Sequence, residues 1–154
     1  MVKYLQTEVV FQEIPTEISL AINITNCQNR CVGCHSPYLR ENNGTELTED
    51  VLFDLIVKNH GITCVLFMGE GNDQETLLKL SNAVKATFPS IKTAIYSGRN
   101  MVEDILYKTF DYVKVGEYKE EYGPLNNPKT NQRLYKCNKD SIVDITSDFW
   151  KVNQ

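Results

Sequence analysis

The sequence predicts an α/β protein: one domain over residues 1–154, built as a partial, open βα barrel of parallel strands with flanking helices. Three observations predict it. Strand-like and helix-like hydrophobic periods alternate between residues 18 and 115. Capping residues stand where two of the helices should start. A complete eightfold barrel takes roughly 250 residues, so this length allows only part of one.

Each element has its own signal. Residues 18–25, ISLAINIT, alternate apolar and polar side chains and are rich in β-branched residues, as a strand requires. The polar stretch NCQNRCVGCHSPYLRENNG that follows reads as a long loop. Thr48 then caps a helix, with Glu49 and Asp50 favoured in its first turn by the helix dipole. Val51, Leu52, Leu55 and Ile56 form its apolar face, and Gly61 ends it. Residues 62–67, ITCVLF, are almost continuously apolar, as in a strand covered on both faces. Asp73 caps a second helix, whose Leu77, Leu80, Val84 and Phe88 share a stripe that stops at Pro89. Residues 91–96 are the next strand, 100–108 a short helix, and 111–115 a further strand. Strand, helix, strand in this order implies parallel pairing. Beyond Gly116 the regularity fails: EYGPLNNPKTNQR is loop-like, RLYKCN fits a short strand, and the last dozen residues fit an edge element.

Sixteen basic residues against twenty acidic ones give a net charge of −4, which argues against general nucleic-acid binding. No apolar run approaches the ~20 residues of a membrane span. The N-terminal MVKYLQTEVVFQEIPTE interleaves charges with apolar residues and has no signal-peptide core, so a cytoplasmic protein is expected. Five cysteines in such a setting point to metal or redox chemistry rather than disulfides.

Three of them, Cys27, Cys31 and Cys34, fall within eight residues in a C-x3-C-x2-C pattern. Soft thiolates select zinc or iron–sulfur clusters. Structural zinc wants four ligands, commonly as two separated pairs, and the second pair is missing. His35 is adjacent to Cys34, which makes joint tetrahedral ligation awkward. A 4Fe–4S cluster normally takes four cysteines, so three leave one iron open, as a catalytic cluster needs. Incidental cysteines or a degenerate zinc knuckle are the blander readings. The loop follows the carboxyl end of the 18–25 strand, where open and closed α/β sheets carry their chemistry.

With this motif the sequence resembles the radical S-adenosylmethionine superfamily. Gly33 before the third cysteine, the short length, FMGEGND after the second strand and YSGRN after the third narrow the resemblance. So does Val115-Gly116-Glu117-Tyr118 followed by NNPKTNQRLY. Together these are similar to the family of anaerobic ribonucleoside-triphosphate reductase activating proteins, over roughly residues 9 to 137.

The resemblance implies that Cys27, Cys31 and Cys34 hold one 4Fe–4S cluster per chain and are the metal-ligating, catalytic residues. It implies that Gly33, Cys34 and His35 lie against S-adenosylmethionine, and that Gly69 and Glu70 end the family's Gly-Gly-Glu/Asp motif, which receives the methionyl ammonium. Met68 stands where the family has its first glycine. Ser97 and Gly98 fall where it has a Thr/Ser-Gly pair near the cofactor. Val115 replaces a residue that many relatives have as Asp, and no role is assigned to it. The implied activity is reductive cleavage of S-adenosylmethionine to place a glycyl radical on the large subunit of anaerobic ribonucleoside-triphosphate reductase, with electrons from a low-potential donor. An activase of pyruvate formate-lyase type, a small-molecule radical enzyme, and a non-catalytic zinc- or cluster-binding module are the alternatives.

The residues themselves also have structural readings. Gly69 and Gly71 around Glu70 fit a plain βα turn, and Glu70 an exposed loop carboxylate. His60 reads as a surface residue ending a helix, Cys64 as a small core residue, and Cys137 as structural. From Tyr122 to Lys139 the charges are Lys129, Arg133, Lys136 and Lys139, with no acid. These form either a solvated surface or a docking contact, with Arg133 the foremost candidate to meet a cofactor carboxylate.

Overall fold

The computed structural model describes residues 1–25, 44–138 and 140–150. The chain runs β1 (Lys3–Val10), β2 (Ser19–Ile24), β3 (Thr45–Glu46), α1 (Glu49–Lys58), β4 (Cys64–Met68), α2 (Gln74–Thr87), β5 (Lys92–Tyr96), α3 (Asp104–Thr109), β6 (Tyr112–Val115), β7 (Arg133–Asn138) and β8 (Ser141–Asp144). A 3-10 turn over Thr146–Trp150 follows. Among the described residues the strands form one eight-stranded sheet in the order β3-β1-β2-β4-β5-β6-β7-β8, and the sheet is open. Its centre, β2-β4-β5-β6, is parallel, as strand–helix–strand alternation requires.

The flanks depart from the expected all-parallel sheet. β1 runs antiparallel to β2 and β3, β7 to β6, and β8 to β7. A connection as short as that between β7 and β8 cannot make a parallel crossover. β1 is also absent from the sequence expectations. Most of its residues are exposed or half-buried, so its pattern carries charges and Gln on its outer positions and lacks a clean period of two.

The helices begin where the caps predict. Thr48 Oγ1 accepts from the Val51 amide at 3.2 Å, and Asp73 Oδ1 from the Thr76 amide at 3.2 Å. The third helix starts at Asp104, not at residue 100. All three pack on one face of the sheet. There Leu20, Ile22, Val65, Phe67, Ile95 and Val113 alternate out of the strands to meet Leu52, Ile56, Leu77, Leu80, Val84 and Leu106. The intervening residues point to the opposite face: Ala21, Cys64, Leu66, Ala94, Tyr112 and Leu134 form a second cluster with Val10 and Ile14, against which Ile145 and Phe149 pack.

At the amino ends of the parallel strands, Glu17 is buried and accepts hydrogen bonds from Thr63 Oγ1 and Tyr112 Oη, both at 2.6 Å. Lys92 Nζ stands 3.3 Å away. Burial pushes this carboxyl up, and the Thr63, Tyr112 and Lys92 contacts outweigh it, leaving Glu17 below its ordinary value. Next to it Thr16 has φ +73°, a left-handed conformation unusual for a β-branched residue. Among the described residues, no helix is long and apolar enough to cross a membrane.

Candidate functional site

The four parallel strands deliver their carboxyl ends to one edge of the sheet. β2 ends at Ile24, β4 at Met68, β5 at Tyr96 and β6 at Val115. In the register Asn23 lies beside Met68 and Met68 beside Tyr96. The segments that follow β4 and β5 therefore start side by side. Cys27 comes two residues after Thr25 in the sequence. Cys27, Cys31, Gly33, Cys34 and His35 lie outside the described residues.

After β4 the backbone turns on two glycines. Gly69 (φ +111°) donates its amide to the Tyr96 carbonyl at 3.0 Å, tying the turn to the end of β5. Gly71 (φ +62°) packs against β2: a Cβ there would meet Ile24 Cγ2 at 2.9 Å and the Thr25 carbonyl oxygen at 3.1 Å. The two glycines bring the residue between them, Glu70, close against the strand ends.

Glu70 is not the exposed loop carboxylate of the plainer reading. Its side chain retains 11% of its accessible surface and accepts three hydrogen bonds from two residues. Ser97 Oγ, itself buried, donates to Glu70 Oε2 at 2.6 Å. Arg99 completes a two-pronged pair, with Nε to Oε2 at 3.0 Å and Nη2 to Oε1 at 2.6 Å. Ser97 Oγ also accepts from the Arg99 amide at 3.0 Å, so one hydroxyl fixes both partners. The structure brings Glu70 and Ser97 together across 27 positions of sequence.

Arg99 is the residue that sequence reading left out. The other side of its guanidinium grips Glu103, with Nη1 to Oε1 at 2.9 Å and Nη2 to Oε2 at 2.8 Å, and Gln74 Nε2 braces Glu103 at 3.0 Å. The Arg99 fork, aided by Gln74, pulls the Glu103 carboxyl down to about 2. This grip also explains why α3 starts late: Glu103, which precedes α3, is bound back to the loop. The opposite charges of Arg99 and Glu103 four residues apart were a weak local signal, since the segment between them is not helical.

Met68 half-faces solvent beside the second apolar cluster. Val115 is a core residue on the helix side. On the opposite side of β6, Lys114 is buried, donates to the carbonyls of Ser97 and Gly116 at 3.0 Å, and lies 5.5 Å from the Tyr96 ring centre. Beyond it, a cavity of about 680 Å³ is lined by Glu117, Tyr118, Lys119, Glu120 and Glu121. It adjoins the Ser97–Asn100 loop through a 3.2 Å bond from the Glu117 amide to Asn100 Oδ1.

Arg133 lies opposite Val115 at the same sheet edge, and its guanidinium is 3.6 Å from Asp144. Cys64 and Cys137 are elsewhere. Cys64 begins β4, about 13 Å from Met68 at ordinary strand rise, and the Cys137 amide bonds to the Asp111 carbonyl at the start of β6. Burial pushes both thiols up, that of Cys137 to about 11, so neither offers a ready thiolate. Both match their structural reading. Among the described residues, no group of three or more His, Cys, Asp or Glu side chains is placed to hold a metal ion.

The site thus consists of a glycine-flanked carboxylate, a hydroxyl and a guanidinium at the carboxyl edge of a parallel sheet. In comparison with known proteins, no family model, no curated protein and no solved structure matches the chain.

Proposed function

We propose that the chain is a radical-generating activase: a protein that holds a 4Fe–4S cluster and S-adenosylmethionine and places a glycyl radical on a large anaerobic ribonucleotide reductase. The observation that carries this reading is the C-x3-C-x2-C pattern, which follows β2 after two residues of sequence; the carboxyl end of β2 lies beside that of β4, from which the Gly69-Glu70-Gly71 turn starts. When bound, the cluster and S-adenosylmethionine supply one-electron reductive cleavage of a sulfonium, chemistry that protein side chains lack.

The residues around it have definable tasks. Cys27, Cys31 and Cys34 hold the cluster and leave one position open. Glu70 offers a fixed acceptor for an ammonium group. Three of its roughly four acceptor positions are taken, and one on Oε1 is left among the described residues. Ser97 and Arg99 keep that carboxylate in one place, and the turn at Gly71 admits no side chain between it and β2. A fixed carboxylate with a free acceptor position at the carboxyl edge supports an amino-acid headgroup as the ligand.

A protein target is favoured over a small molecule by the face of the sheet opposite the helices. Ile14, Ile145 and Phe149 pack on it, and the Tyr96 hydroxyl donates to the Glu13 carbonyl. These groups fill that face among the described residues, which supports delivery of the radical outward to a partner. The test is direct. Under strict anaerobiosis, the reduced protein, S-adenosylmethionine and the partner reductase should give 5′-deoxyadenosine and a glycyl-radical doublet by electron paramagnetic resonance. Replacing the reductase's radical glycine with alanine should remove the doublet. Cleavage without a doublet, where a known activase gives one, favours the small-molecule enzyme instead.

A further inference from the structure

We propose that Arg99 is a positioning residue, which clamps the Glu70 carboxylate between itself and Ser97 so that one oxygen is presented to the ammonium group of an amino-acid-type ligand. The inference rests on the ammonium role of Glu70 given above and adds a residue that the sequence motif does not contain.

The geometry argues for a clamp. Glu70 stands on a turn whose neighbours are both glycine, so no adjacent side chain restricts it. Ser97 supplies one hydrogen bond, which fixes one oxygen but leaves the carboxylate plane free to rotate. The Nε and Nη2 contacts of Arg99 at 3.0 and 2.6 Å fix both oxygens and hence the plane. Arg99 is in turn fixed by the second two-pronged pair to Glu103, braced by Gln74. A lysine ammonium cannot reproduce two such forks, because it is a point charge without a plane.

Charge is the obvious objection, since a guanidinium beside Glu70 repels a second cation. Glu103 answers it. Glu70, Arg99 and Glu103 together carry one negative charge, the same as an unpaired Glu70. The arrangement keeps the attraction for a cation and removes the freedom of the carboxylate, so ordering costs less when the ligand binds. The clamp also occupies three acceptor positions and steers the incoming group to the remaining one on Oε1.

The experiment measures equilibrium binding to the anaerobically reconstituted protein with two probes. S-adenosylmethionine carries the ammonium group; 5′-methylthioadenosine keeps the adenosine thioether and lacks the amino acid. Arg99→Gln should weaken S-adenosylmethionine about tenfold or more, the scale of a lost charge-assisted hydrogen bond, and leave 5′-methylthioadenosine unchanged. Arg99→Lys should lie between Arg99→Gln and wild type, and Glu103→Gln, which releases one side of the guanidinium and removes the compensating charge, should also weaken S-adenosylmethionine while leaving 5′-methylthioadenosine unchanged. Equal losses for both probes would overturn the clamp, since a general disturbance of the edge acts on both. Tighter S-adenosylmethionine binding by Arg99→Gln would overturn it in the other direction, making Arg99 a competitor. A wild-type protein that binds 5′-methylthioadenosine and S-adenosylmethionine equally would remove the ammonium role of Glu70, and the clamp with it. Wild-type preference for S-adenosylmethionine that persists in Arg99→Gln would remove the clamp alone.

Discussion

Gly71 shows how one missing Cβ shapes the site. Its φ of +62° lies in the left-handed region, and an added Cβ would approach Ile24 Cγ2 to 2.9 Å. Gly71→Ala should therefore cost about 1–3 kcal/mol, the usual range for such backbone strain, read as a lower urea midpoint at unchanged slope. Thr16 is the reverse case. It holds φ +73° despite its branched side chain, beside the tightly bonded Glu17. Thr16→Gly should stabilise the fold by about 0.5–1 kcal/mol, the relieved strain less the entropy glycine loses on folding. Glu17 sets a pH dependence. A carboxyl lowered in the folded state contributes stability that is complete above its unfolded value of 4.5 and is lost as pH falls through the folded value. The urea midpoint should fall on acidification below that pH, and the gap between wild type and Glu17→Gln should narrow. Glu70 and Ser97 were legible as residues because they stand in short motifs at strand ends. Arg99 was not, because its contact with Glu70, 29 positions away, forms only when β4 and β5 pair, and the nearby Glu103 is not joined to it by a helix that would make the spacing a signal.

Helices and central strands carry strong local signals, and they were legible. Leu52 and Ile56 of α1 and Leu77, Leu80 and Val84 of α2 are the buried stripes that their spacing predicts. Thr48 and Asp73 both cap. Thr48→Ala should cost about 1 kcal/mol, because the Val51 amide loses its acceptor at the helix start; thermal denaturation measures it. β7 coincides with RLYKCN, and the edge strand β8 (Ser141–Asp144) starts before the last dozen residues, where the edge element was expected. β1 and β3 were not legible. β3 is two residues long and fully exposed, and β1 gains its order from pairing with β2 rather than from a buried face of its own. Strand direction was legible only where a helix intervenes, since helical crossovers force parallel pairing and short turns force the opposite.

At the scale of the whole molecule, the sheet has two edges with different tasks. The amino edge is tied by Glu17, Thr63, Lys92 and Tyr112 and holds the buried Cys64. The carboxyl edge gathers Glu70, Ser97 and Arg99 beside the point where the chain enters its cysteine segment. This division is what α/β sheets with chemistry at their strand ends require. On the function proposed above, three of the five cysteines hold the cluster, while Cys64 and Cys137 are buried packing residues. Iron and acid-labile sulfide analysis after anaerobic reconstitution tests that division most directly. Wild type, Cys64→Ala and Cys137→Ala should each hold about four irons and four sulfides per chain, while Cys27→Ala, Cys31→Ala and Cys34→Ala should each fall well short. One zinc with no sulfide in the wild type, or loss of iron in Cys137→Ala equal to that in Cys31→Ala, would contradict the account.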